Sequence, residues 1–204
     1  MIFKINFPLL LKLIISFIIF TAVGTVTHEL GHLIPAQLLG FETTLHYDSL
    51  NWGGRENTKI ESFWILIGGP IQSMLTGTIG FVILLKRRIQ NKLRVFNFSD
   101  WFWLFIALFW IRQPFNLIVS LVDGLKNNKE QLFGGDEYRI SQLLGLAEGS
   151  LSILTGAIGL FIAYYLTFRI IPKRIRITFI LSAFFGASLG WWIWMKQLGP
   201  LILP

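Results

Sequence analysis

Residues 8–39, PLLLKLIISFIIFTAVGTVTHELGHLIPAQLL, decide the fold. The stretch is apolar and exceeds the roughly 20 residues that a helix needs to cross a bilayer. Inside it stands His28-Glu29-Leu30-Gly31-His32, which fits the HExxH zinc-protease pattern. On a helix, two His four positions apart project from one face, one turn apart. Both imidazoles can then reach one zinc ion, and Glu29 beside them can take a proton from a water that the ion activates. In a soluble, exposed helix the same residues could arise by chance at little cost. In an apolar segment, three polar side chains need a partner, and ionisable groups at such a depth mark function.

The composition fits this setting. The 204 residues are 53% hydrophobic, and the mean hydropathy of +0.62 is too high for an ordinary soluble domain of this size. Eight Trp and 19 Phe suit a lipid-facing surface with interfacial aromatics. There is no Cys, which excludes disulfides, thiolate metal ligands and a cysteine nucleophile. The net charge of +7 comes from basic residues between apolar runs, which points to loops flanking membrane spans and away from nucleic acid. The first apolar run is too long for a cleaved signal peptide, lacks a small-residue cleavage site and carries the candidate site.

Five spans are expected, at about Pro8–Leu39, Ser62–Leu85, Trp101–Val122, Ser150–Ile171 and Ile177–Leu198. The fold class is therefore an all-α integral, multi-pass membrane protein, a bundle of about five transmembrane helices. Lys4, Lys12, the basic residues of 86–94 and those of 169–176 fall on one side of the membrane. Arg55, Lys59, Lys126, Lys129, Arg139 and Lys196 fall on the other, and Arg112 lies within the third span. The excess predicts an N-terminus inside and a C-terminus outside. Between the first two spans, the polar connection from Phe41 to Glu61 contains Asn51-Trp52-Gly53-Gly54, and before it Thr43-Thr44-Leu45-His46-Tyr47 has strand-like composition. A short β-hairpin, a loop dipping into the interface and a simple exposed loop all satisfy this segment.

Gly68-Gly69-Pro70 falls several residues inside the second span, where Pro removes a helical hydrogen bond. Irregular backbone at that depth is tolerated only against protein or a wet cavity, so a broken turn bordering the metal site is expected. Gly69, Ser73 and Gly77 then recur every four residues, a stripe that permits close helix approach.

A catalytic zinc usually takes three protein ligands and keeps one open position. His46 and Asp48 lie in a polar loop, and Asp100 and Glu148 stand where helix N-termini would use them. Two candidates remain. Asp123 ends the third span before Gly124. Asp136 follows Gly134-Gly135, whose backbone allows a tight turn into a short helix.

These residues resemble the site-2 protease family of intramembrane zinc metalloproteases. HELGH in the first membrane helix is the strongest match, and the likeness runs over roughly residues 21–146. Gly69-Pro70-Ile71-Gln72-Ser73 resembles the family's Gly-Pro-x-x-Asn element, with Ser73 in place of Asn, and Asn116-Leu117-Ile118 resembles the start of its Asn-containing segment, here without the prolines. The resemblance implies substrate-holding roles for Gly69, Pro70, Ser73 and Asn116. It favours Asp136 over Asp123 as third ligand, although Leu121-Val122-Asp123-Gly124 is superficially like the family's Leu-Asp-Gly. It implies one membrane-embedded metalloprotease domain over 1–204, with a motif-bearing core at about 8–146 and accessory helices at about 150–198. The expected activity is hydrolysis of transmembrane or membrane-associated proteins within the lipid bilayer, with zinc on His28, His32 and Asp136, Glu29 as general base, and no nucleic acid involved. The replaced Asn and the missing prolines motivate an alternative, a zinc-binding membrane scaffold that does not cleave, against which the intact Glu29 argues. A metal transporter would need polar residues along the whole path, and the last two spans have no acidic residue or His.

Overall fold

The computed structural model describes residues 5–90, 96–127 and 131–204. Of the basic residues that predict the orientation, Lys4, Lys92, Arg94 and Lys129 lie outside the described residues.

Helix α1 spans Phe7–Leu38. Asn6 caps it by accepting from the Leu9 N–H at 3.1 Å, and Pro8 sits in the first turn, where its missing N–H does no harm. Ser16, Thr21 and Thr25 turn their hydroxyls onto carbonyls four residues back, so these three hydroxyls are satisfied within the helix. Strands β1 (Glu42–Leu45) and β2 (Leu50–Gly53) follow as an antiparallel hairpin, with Glu42 opposite Gly53 and Leu45 opposite Leu50. Helix α2 spans Lys59–Gln90. Next come α3 (Phe98–Ala107), a 3-10 turn (Leu108–Ile111) and α4 (Arg112–Lys126), then the short α5 (Gly135–Leu143). Helix α6 (Ser150–Tyr165) ends in a wide π turn, and α7 (Arg176–Ile193) passes through another into α8 (Gly199–Ile202). Among the described residues, five helical stretches are long and apolar enough to cross a membrane, and they coincide with the five expected spans. The segment after the first span forms the hairpin rather than an irregular loop.

Two details depart from expectation. Pro70 does not break α2, which runs continuously through it. The ring is fully buried in protein, so the missing hydrogen bond is not exposed to lipid. The third span, expected as one helix, is interrupted at Leu108–Ile111. Pro114 has no N–H for the Trp110 carbonyl, and its ring collides with that carbonyl in a regular α-helix. The freed Trp110 oxygen lies against Gly159 of α6, 2.6 Å from where a side chain would start.

Apolar surface gains little by leaving lipid for protein, so helices in a bilayer associate through close packing and polar contacts. Gly186 and Gly190 of α7 admit the α1 backbone at Ile14 and Ile18, and Gly156 of α6 admits Leu117 of α4. Leu13, Phe17, Leu104, Phe105, Leu166 and Phe179 fill the contact between α1, α3, α6 and α7. The Phe17 and Phe105 rings meet edge-on at 4.8 Å.

Candidate metal centre

The site begins with how closely α1 approaches α2. Gly31 faces Gly68, and a Cβ on Gly31 would stand 2.6 Å from the Gly68 carbonyl oxygen. A Cβ on Gly68 would collide with the Gly31 carbonyl oxygen, which Pro35 leaves without its helical donor. A side chain on Gly69 would run into the ring of His32 and come within 2.6 Å of His28 Nε2. Three glycines therefore let α2 pass against the two imidazoles, and His28 and His32 are buried in that contact.

Each imidazole is fixed from behind. His32 Nδ1 is 2.8 Å from the Ile65 carbonyl oxygen; a carbonyl only accepts, so Nδ1 carries the hydrogen and Nε2 keeps its lone pair. His28 Nδ1 is 3.0 Å from Ser73 Oγ. The Ser73 hydroxyl can give its own hydrogen to Gln72 Oε1 at 3.3 Å, and His28 Nδ1 then donates to Ser73. Both Nε2 atoms turn toward Asp136, lying 3.0 Å (His28) and 3.3 Å (His32) from its Oδ2 and 3.2 Å from each other.

Helix α5 delivers this carboxylate. Gly134 is extended, and Gly135 has φ of 82°, a left-handed turn that suits glycine and aims Asp136 at the imidazoles. The neighbouring Glu137 is buried, and burial pushes its carboxyl above the ordinary range.

Two imidazole nitrogens and a carboxylate oxygen thus converge in a triangle with 3.0–3.3 Å sides. A tetrahedral zinc with bonds of roughly 2.0–2.1 Å spaces its ligands about 3.3 Å apart, so this donor set fits the ion in chemistry and in size. The partners on the two Nδ1 atoms are the kind that orient metal-binding His.

The triangle borders a cavity of about 440 Å³. Glu29, His32 and Asp136 line it, together with Arg112, Asn116 and Asp123 from α4 and Asp48, Leu50 and Trp52 from the hairpin. Glu29 is buried, and its Oε1 lies 3.6 Å from Arg112 Nη2.

Among the residues expected from sequence, His28, His32 and Asp136 come together, with Glu29 one residue away at the cavity wall. Of the four residues with implied substrate-holding roles, only Asn116 lines the cavity; Gly69 and Ser73 touch the imidazoles, and Pro70 is fully buried. Asp123 opens onto the cavity and accepts from Asn127 Nδ2 at 2.7 Å, outside the His–His–Asp triangle. Asp100 completes a capping box with Asn97 and pairs with Arg87 at 3.1 Å, and His46 bonds to Asn51 on the hairpin. Sequence reasoning did not assign the Ile65 carbonyl or Arg112. The first leaves no trace in side chains, whereas an arginine inside a span is itself a signal.

A family profile described as Peptidase M50B-like matches residues 6–125. The match includes His28, Glu29, His32, Arg112, Asn116 and Asp123, and stops before Asp136. Comparison with curated proteins and with solved structures gives no match.

Proposed function

The chain belongs to the M50B-like peptidases, within the site-2 protease family of multi-pass integral membrane proteins, and on that premise we propose that it is an intramembrane zinc endopeptidase. The observation that carries the reading is the triangle of His28 Nε2, His32 Nε2 and Asp136 Oδ2 beside Glu29 on a cavity wall. His28, His32 and Asp136 hold the ion. Zinc, when bound, polarises the scissile carbonyl and makes the attacking water more acidic.

The chain's own residues do the rest. Glu29 takes a proton from water as the water oxygen bonds to the carbonyl carbon. It returns that proton to the amide nitrogen as the C–N bond breaks, so one peptide bond and one water become a carboxylic acid and an amine. Ser73 and the Ile65 carbonyl keep the imidazoles aligned through these steps. The cavity gives water a polar place beside the triangle. The substrate is a transmembrane or membrane-associated protein, whose helical peptide bonds are shielded until the segment unwinds. Leu50 and Trp52 bring β2 to the cavity, and an unwound segment adds beside that strand by backbone hydrogen bonds.

The test is Glu29→Gln in purified protein, with zinc content and cleavage of unstructured casein in detergent measured on one sample. The variant is expected to keep its zinc and to lose about 10²–10⁴-fold in turnover. Full turnover would remove Glu29 from the mechanism.

A further inference from the structure

Arg112 has no role in the steps above, yet it is an arginine in the middle of a membrane span, beside the base. A guanidinium at such a depth is costly and is kept for a reason. Full neutralisation by structural partners does not supply one. Its ion-pair partner, Glu29 Oε1, is 3.6 Å from Nη2, beyond a hydrogen bond. Its Nε–H is buried and has no partner among the described residues. The side chain is 25% exposed, and the residue lines the same cavity as Glu29, His32 and Asp136. Its position follows from the interruption of the third span: the 3-10 turn ends at Ile111, and Arg112 opens α4.

A guanidinium carries five N–H donors and keeps its charge. The group that most needs such donors here is the scissile carbonyl oxygen. As water adds, the C=O π pair moves onto that oxygen, which turns from neutral to anionic. When the pair returns, the C–N bond breaks and the proton held by Glu29 leaves on the amine. A charged donor already in place stabilises the anion more than the ground-state carbonyl. We propose that Arg112 is a further catalytic residue, gripping the scissile carbonyl oxygen and stabilising the negative charge that forms on it. The proposal rests on the hydrolytic reading above.

The experiment compares two probes on the zinc-loaded protein in detergent. A phosphinic dipeptide presents an anionic, tetrahedral oxygen where the oxyanion would form; acetohydroxamate chelates zinc without one. Wild type, Arg112→Gln and Arg112→Lys are measured for zinc content and for affinity to each probe. In Arg112→Gln, phosphinic affinity is expected to fall about 100-fold while acetohydroxamate affinity and zinc content hold, with Arg112→Lys between the two. If Arg112→Gln does not load zinc, Arg112→Lys decides by the same ratio. Equal losses for the two probes, or no loss for either, would overturn the proposal and leave Arg112 a countercharge for Glu29. A wild type that takes up no zinc overturns the hydrolytic reading, and this proposal with it. A zinc-loaded wild type that loses turnover in Glu29→Gln but shows an unchanged probe ratio in both Arg112 variants overturns this proposal alone.

Discussion

The two ends of α1 solve the same packing problem in opposite ways. Near its start, Leu13 and Phe17 lie in an aromatic cluster with Phe105 and Phe179, where large apolar rings fill space. Near its end, Gly31 presses on Gly68 backbone to backbone, and the rings of His28 and His32 lie against Gly69. Ring packing has slack, because neighbouring rotamers can adjust to a change in volume. A backbone contact has none. The difference shows where this protein keeps its precision: at the turn of helix that carries the two His.

The largest expected effect follows from that contrast. Gly31→Ala puts a methyl 2.6 Å from the Gly68 carbonyl oxygen, whereas Gly24, two turns earlier on the same helix, has nothing within 4 Å of its would-be Cβ. Gly31→Ala should therefore separate α1 from α2 and abolish zinc uptake. Gly24→Ala should leave zinc unchanged and strengthen the helix by about 1 kcal/mol. Zinc retention after dialysis, measured on the two purified variants, checks the pair. Equal retention would remove the distinction between the two ends.

A smaller effect is expected behind the ligands. Ser73→Ala takes away the oxygen facing His28 Nδ1 and frees that ring to turn. Zinc affinity should drop about 10–100-fold, the usual loss when a partner of a metal-binding His is removed. Competition with a chelator of known affinity reads this directly; a variant that competes as well as wild type would leave Ser73 with a packing role only.

The smallest effect belongs to the aromatic end. Phe17→Leu keeps an apolar side chain in the cluster and should lower thermal stability by about 1 kcal/mol with zinc affinity unchanged. A matching loss of zinc would mean that the two ends are coupled along α1.

Much of this arrangement was legible from residues alone. The five spans follow from apolar runs of membrane length, and HELGH marks α1 as the helix that presents two His on one face, because i and i+4 share a face. The strand-like residues after α1 do form a hairpin. What could not be read depends on relations between helices. The break before Arg112 arises from Pro114 acting on the Trp110 carbonyl, yet Pro70 sits in α2 without breaking it, and both prolines are buried, so residue type and burial alone do not tell the two cases apart. Ser73, for which the resemblance implies a substrate-holding role, sets its hydroxyl against an imidazole, a contact that no sequence pattern shows. The Ile65 carbonyl is invisible in any side-chain pattern because it is backbone. Asp136 and Asp123 are both open candidates in the sequence, and the fold brings Asp136 to the imidazoles while Asp123 lines the same cavity outside that cluster.

The central claim is that His28, His32 and Asp136 hold one zinc ion, and its most direct test is the zinc content of detergent-purified wild type, Asp136→Ala and Asp123→Ala side by side. The account predicts about one zinc per chain in wild type and in Asp123→Ala, and none in Asp136→Ala. Zinc lost only in Asp123→Ala, or absent from wild type even after it is added back, would contradict it.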